Sequence, residues 1–499
     1  MKLISFPLFF FLFVVTLFPK SDKDSLVAVG NEESFNFRFV SAENTFRNLI
    51  SKYPQSSLGY YYIARNSLWI YLANKDSLKK RVFLENLELA KEKAEKELDR
   101  FHENARINYN FGNIKFLESI YNTSEQETMN AFWALKKAVS YYKDAIEKNN
   151  NYYAPYLPLG IIKYALGYVP GFLKWAISVT ALSGNQQEGI NYLTKAFKKC
   201  YDCKTEAAYH LGKAYTEYNA MYDSAEIYLS QIVAEYPSNE LFLYQYAILL
   251  IDKRELEKAK KILNRILFNK HYQFQQTYAL SFFLKGEIYY KQNKFVAAID
   301  EYEKFITEAI SIDYTGYANL KIAVSYEILG NKHKAQHYYL LARNGNENIF
   351  EDEYAIELSQ NLFNKQFTEI DKILIKAENM VEAGKFSNAI RILNTIDEKR
   401  TSKEENFTAS VIRIEALQYL DNWEKSRKIV NKFLKYKPDK NYNKYCKFLY
   451  LSAKQFFADA YFQKADKLLE DAFDTVNAAN TKLKRLLINL EQKIEKKIN

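Results

Sequence analysis

The chain has 499 residues, 70 Lys and Arg against 60 Asp and Glu for a net charge of +10, and 48% hydrophobic residues, enough to bury a large core. Only 14 glycines and 8 prolines are present, too few for the turns of an all-β fold, and strand-like alternation is not evident. Basic residues are interleaved with acidic ones along the chain, as on solvated helix faces, which argues against a nucleic-acid partner.

At the N-terminus Lys2 precedes a largely apolar run from Leu3 to Phe18, and Pro19, Lys20, Asp22, Lys23 and Asp24 then return to polarity. That is a secretory signal in outline. A spanning helix needs about 20 apolar residues, so a cleaved signal fits better than a permanent anchor. The small residues best placed for cleavage are Ala28 and Gly30. Residues 1–30 are therefore expected to be a signal peptide or an N-terminal anchor with a short linker.

From about residue 34 onward small and bulky residues alternate in a beat suited to helical hairpins. Two antiparallel helices approach closely only where facing side chains are small, and bulky neighbours must fill the space beside them. Ala42, Phe46, Leu49 and Pro54 read as a second helix in that frame, and Phe111, Gly112, Ala138, Tyr142 and Ala145 as a looser hairpin. The repeat led by Tyr156, Leu159 and Gly160 resumes only at Gly189, Leu193 and Ala196, so it carries an insertion. Within that insertion Pro170 opens, and Ser183, Gly184 and Asn185 close, an expected helix over about 168–184 with Phe172 and Trp175 on its apolar body.

The regular part follows. Gly212, Ala247, Gly286, Ala323 and Ala377 take the first small position, and Ala225, Ala259, Ala298, Ala335 and Ala389 the second. Ser426 and Ala465 continue the series, and Pro54, Pro237 and Pro438 fall where a second helix should end. Leu483, Leu487, Leu490 and Ile494 then recur at helical spacing in a basic tail, as a capping helix would. About nine or ten hairpins are expected: 34–200 with the inserted helix, 201–480 regular, and 481–499 the cap.

Side chains with chemistry are sparse. Cys200 and Cys203 form a Cys-x-x-Cys before the helix of Gly212, with His210 the only histidine nearby. No second ligand pair or redox context accompanies them, which leaves a small disulfide in an oxidising compartment or plain loop cysteines. His333 and His337 share a helix face but lack the glutamate of a metalloprotease motif, and read as surface residues. Glu351 and Asp352 are expected in a solvated hairpin connection. No metal site, cofactor loop or catalytic constellation is found, so the expectation is a protein that is not an enzyme.

The spacing, the Leu-Gly-like and Tyr positions and the closing prolines resemble the tetratricopeptide repeat. That resemblance implies an all-α, right-handed α-solenoid with one inserted helix, and a scaffold that binds other proteins along the first helices. By the family pattern the groove positions are Tyr209, Lys213, Thr216, Tyr244, Glu287 and Tyr290. The Lys and Asn placement that clamps a chain-terminal carboxylate in some such grooves is not seen. The run from Tyr164 to Pro170, then Leu173-Lys174-Trp175, Ser183-Gly184-Asn185 and Glu188-Gly189-Ile190, is similar to the mid-repeat insertion of the tetratricopeptide repeat protein 39 family and of exported bacterial repeat proteins. This implies location in the periplasm or cell envelope of a bacterium. The alternative is a structural part of an envelope assembly, contacting membrane or partner through the N-terminal segment or through Phe172 and Trp175.

Overall fold

The computed structural model describes residues 21–167, 185–438, 442–476 and 480–498. Helices form where the small and bulky positions predict them, and side chains cap many: Asp76, Asn104, Asn185 and Asn239 accept first-turn N–H groups, and Thr368 and Ser402 head complete capping boxes. Among the described residues there are 24 α-helices and no strand. They stack as an all-α solenoid.

Eleven hairpins follow one another. They pair Asp22–Phe35 with Phe39–Lys52, Leu58–Asn74 with Ser77–Phe101, Ala105–Ser124 with Thr128–Lys148, and Tyr156–Leu166 with Gln186–Lys199. Lys204–Glu217 pairs with Tyr222–Glu235, Glu240–Asp252 with Leu256–Leu267, Gln275–Lys291 with Phe295–Glu308, and Thr315–Ile328 with Lys332–Ala342. After the single helix Phe350–Leu362 come Glu369–Glu382 with Phe386–Leu393, Lys403–Tyr419 with Trp423–Phe433, and Tyr442–Ala458 with Phe462–Thr475. Thr481–Ile498 ends the stack and buries Leu483, Leu487, Leu490 and Ile494 against its neighbours.

The small positions act as the beat requires. A methyl group on Gly286 would sit 2.7 Å from the ring of the fully buried Tyr302. Across the insertion, a methyl on Gly189 would meet the Tyr164 backbone nitrogen at 2.7 Å and the Gly160 carbonyl at 2.9 Å. The two helices flanking 168–184 therefore pair backbone to backbone. The inserted residues themselves, with Phe172 and Trp175, lie outside the described residues, as do residues 1–20.

Three local expectations change. Residues 22–30, expected as linker, belong to the first helix, and Gly30 there lies buried against the Phe46 ring. Ala28 and Gly30 are thus inside a packed hairpin. Glu351 and Asp352 are in the first turn of Phe350–Leu362, and Asp352 is fully buried, accepting the backbone N–H of Tyr317 at 2.8 Å and of Asn346 at 2.9 Å. That unpaired helix also explains the long step from Ala323 to Ala377.

Ten of the eleven hairpins turn on a residue with positive φ: Phe37, Lys75, Gln126, Ala220, Arg254, Asn293, Gly330, Gly384, Asp421 and Ala460. Several of these turns reach repeats far away in sequence. At a first seam Phe37 and Phe39 pack on Phe274, with ring centroids 4.7 and 5.8 Å apart, and Asn74 exchanges hydrogen bonds with the backbone of Gln273 and Gln275, both at 2.8 Å. Tyr236 donates to Glu32 at 3.0 Å and Asn239 to the Phe35 carbonyl at 2.9 Å. At a second seam Arg254 donates to the Val381 carbonyl and to Glu415, both at 2.9 Å, and Asn293 and Asn379 bond the Lys376 and Tyr290 carbonyls, both at 3.0 Å. The capping helix joins it through Arg485 to Asp252 at 3.1 Å and Asn489 to the Asn219 carbonyl at 2.8 Å. The solenoid thus coils back onto itself twice.

Replacing a helical glycine by alanine ordinarily gains up to about 1 kcal/mol. Here the close approaches reverse the sign: Gly286→Ala and Gly189→Ala are expected to cost about 1–3 kcal/mol by overpacking, with Gly189→Ala the worse because backbone cannot swing aside. Thermal melts of both variants check this, and a higher Tm for Gly189→Ala would contradict the pairing across the insertion.

Candidate functional site

The first helices of neighbouring hairpins contact one another and form the inner face of the coil, the wall of its lumen. Tyr209, on Lys204–Glu217, senses Lys213 and Glu217, and Tyr244, on Glu240–Asp252, senses Tyr209, Glu217 and Tyr314 at the head of Thr315–Ile328. Tyr317, one turn on, senses Tyr354 and Glu287. The helices that carry these groups, Lys204–Glu217, Glu240–Asp252, Gln275–Lys291, Thr315–Ile328 and Phe350–Leu362, contact one another in that order, which sets the groups along one inner face. Each of these phenols is pushed up by loss of water, Tyr314 to about 12, yet all five tyrosines keep some exposure. His210 stands beside them and is driven down to about 3 by burial and the nearby Lys213 charge, so its imidazole is neutral.

Further along, the lumen becomes charged where the second seam closes. Glu382 lies 2.5 Å from Lys482 and 3.4 Å from Lys291. Burial would raise its carboxyl, but Lys482, Lys291 and Arg254 together hold it well below the carboxylate range. Glu378 is likewise raised by burial and then drawn down to about 2 by Lys444 and Lys447. Lys447 also pairs with Glu415 at 2.6 Å. Arg254 stacks over Tyr419, 4.2 Å from its centroid. Lys454, over the same ring at 4.6 Å, is pushed down to about 8 by burial, with Glu415 opposing and Arg254 and Lys493 adding to the fall.

Of the groove positions read from the sequence, Tyr209, Lys213 and Tyr244 come together on the lumen wall, and Lys213 pairs with Glu217 at 3.2 Å. Glu287 and Tyr290 lie farther along beside Lys321, whose ammonium stands 4.2 Å over the Tyr290 ring. Thr216 is not on the wall. Its side chain is fully buried and its hydroxyl donates to the Gly212 carbonyl at 2.8 Å, while its own carbonyl meets Arg485. Arg65, Glu206, Tyr314, Tyr317 and Arg254 were missed. Helix periodicity marks their faces, but nothing in the spacing says which distant repeats they face.

Cys200 and Cys203 are joined by a disulfide that staples the end of Gln186–Lys199 to the start of Lys204–Glu217. His333 and His337 are exposed on the outer helix Lys332–Ala342. Among the described residues no group of His, Cys, Asp and Glu is arranged to hold a metal, and no helix is long and apolar enough to cross a membrane.

Residues 206–239 match the tetratricopeptide repeat family model, and the matched stretch covers the hairpin of Gly212 and Ala225. The chain therefore carries a tetratricopeptide repeat, and hairpins of the same layout stack on both sides of it. No curated protein matches the chain. Solved structures that are similar include yeast Tom70, at 13% identity over 95% of this chain and 96% of that one with a TM-score of 0.34. The Cut9–Hcn1 hetero-tetramer of APC/C is similar at 14% identity over 95% of this chain and 96% of that one, with a TM-score of 0.29.

The Glu378 carboxylate has a folded pKa below its ordinary value of 4.5, so its contribution is complete above pH 4.5 and is lost as pH falls towards 2. Glu378→Gln is therefore expected to lower Tm at pH 7 and to converge on the parent protein as the pH drops through that window. A Tm difference that stays constant from pH 7 to pH 2.5 would show that the lysines beside Glu378 do not stabilise it.

Proposed function

We propose that this protein is a non-catalytic scaffold whose lumen holds an extended segment of another protein. The observation that carries this is the set of partly open tyrosines on or at the head of four inner helices, Tyr209, Tyr244, Tyr314, Tyr317 and Tyr354. A tyrosine offers large contact area and one hydrogen bond at low entropic cost, and several in a row suit a chain more than a compact ligand. The tetratricopeptide repeat at 206–239 supports the same reading. Tyr209→Ala with Tyr244→Ala in the tagged full chain is expected to cut co-purifying protein at least tenfold, with the melt checked. Val296→Ala, on the exposed outer helix, is the control. Unchanged capture by the tyrosine variant overturns the proposal.

We also infer export. The apolar run Leu3–Phe18 stands immediately ahead of the first helix at Asp22, and the Cys200–Cys203 disulfide suits an oxidising compartment. The similarity of the insertion to exported bacterial repeat proteins points the same way. Intact mass of the protein recovered from its own cells should place a new N-terminus ahead of Asp22, or find the uncleaved chain in the membrane fraction. Soluble cytoplasmic protein that keeps Met1 contradicts export.

A further inference from the structure

Arg65 lies on the inner helix Leu58–Asn74, only 7% exposed, and makes no ion pair with any described carboxylate. Its guanidinium is held between two rings of its own helix, 4.8 Å from the Tyr62 centroid and 4.5 Å from that of Trp69. Along one edge Nε and Nη2 donate to Asn66 Oδ1 at 3.3 and 3.1 Å. Asn66 is itself fixed, donating to Ser34 Oγ at 2.8 Å, and Ser34 donates to the Gly30 carbonyl at 2.7 Å. Two faces and one edge of the plane are therefore set by the fold. Nη1 donates to nothing among the described residues and is not sealed from solvent.

An interior guanidinium without a counter-charge is costly, and buried charges are ordinarily paired. Asn66 supplies only a neutral acceptor. The carboxylate that senses Arg65 across the lumen, Glu206 on Lys204–Glu217, forms no ion pair or hydrogen bond among the described residues, and burial raises its pKa. It is thus a poor counter-ion. The phenol of Tyr61 senses both of these groups. Tyr109 beyond it extends the aromatic wall on one side, and Tyr209, one turn from Glu206, on the other. Arg65 thus sits among aromatic side chains of its own and neighbouring repeats.

We propose that Arg65 receives an Asp or Glu side chain from a peptide threaded along the lumen, its free edge donating to the carboxylate that the fold leaves out. A guanidinium already fixed in orientation binds a carboxylate with little further loss of freedom. The proposal rests on the lumen being a peptide channel, and it narrows the cargo to acidic segments.

The test is fluorescence polarisation on the full chain with a labelled ten-residue peptide alternating Glu and Ser, amidated at its C-terminus. Its Gln counterpart, the Gln counterpart with a free terminal carboxylate, and inorganic phosphate as competitor are the comparison arms. The Glu peptide is expected to bind at least tenfold tighter than the amidated Gln peptide. Arg65→Met is expected to abolish that preference and Arg65→Lys to weaken it, with melts recorded. Glu206→Gln, on a partly exposed side chain, keeps the fold and is expected to leave the Glu peptide bound at least as tightly at pH 7.5. The proposal falls if the Glu preference is missing, if it survives Arg65→Met, or if Glu206→Gln weakens binding. It falls equally if the free-terminus Gln peptide takes the Arg65-dependent site, or if millimolar phosphate alone displaces the Glu peptide. Partner capture that still depends on Tyr209 and Tyr244, beside a missing Glu preference, would leave the scaffold standing and remove only this assignment.

Discussion

Everything in the architecture follows from how close two paired helices are allowed to come. A bulky side chain from one helix seats on a residue of the other that is too small to hold it off, as Tyr302 does on Gly286 and Tyr142 on Gly112. The depth of that seat fixes the angle of each hairpin, and the angle, repeated, fixes how fast the stack curves. A coil of constant curvature brings its beginning past its middle. Phe37 meets Phe274 and Arg254 meets Glu415 as consequences of small residues elsewhere.

The seams give a second use to the turns. Several left-handed turn residues put their side chains on a neighbouring coil. Gly is the low-cost choice for such a turn, and a side chain there costs roughly 1 kcal/mol. Only Gly330 and Gly384 take that choice among the ten positive-φ turns. Arg254 and Asn293 carry the second seam and Phe37 the first, so the strained backbone coincides with contacts that glycine could not make. Glu240 shows the same logic in a loop: its buried carboxylate accepts the N–H groups of Gln273 and Phe274, at 2.9 and 3.0 Å, and so presents Phe274 to the first seam. Burial outweighs those donors and lifts its pKa to about 7.

This division also explains what the sequence disclosed. Size alternation is a contact between neighbours, so Gly286 with Tyr302, Ala323 with Ala335, and even Gly160 with Gly189 across the insertion can be paired by eye. The first helix, Asp22–Phe35, was hidden because its apolar residues are few and its most telling member is Gly30, which looks like a cleavage residue until Phe46 is seen against it. Phe350–Leu362 was hidden because it has no partner helix and therefore no second small residue to keep time. Asp352 looked solvated because its two hydrogen-bond partners are backbone groups that leave no trace in composition. Of the candidate wall, Tyr209 and Tyr244 follow from position within a repeat, whereas Arg65 comes near Glu206 only after a large part of a coil has intervened. Thr216 failed because its repeat position was right and its hydroxyl preferred the Gly212 carbonyl of its own helix.

The lumen is then best understood as the product of two requirements that pull apart. Closing the coils removes water from the inner faces and penalises charge there, while a scaffold that recognises chains must keep polar groups available. At the second seam the conflict is resolved inside the protein, since Glu378, Glu382 and Glu415 are each met by lysine or arginine from another repeat. Tyrosine resolves it by being mostly apolar with one hydroxyl at its tip. Arg65 is resolved by neither means, for its charge is held in place by Tyr62, Trp69 and Asn66 and neutralised by none of them. A fold that elsewhere in the same lumen pairs buried carboxylates across a hundred residues of chain has the means to supply an acid to Arg65 and does not. The completion of that pair belongs to whatever the lumen holds.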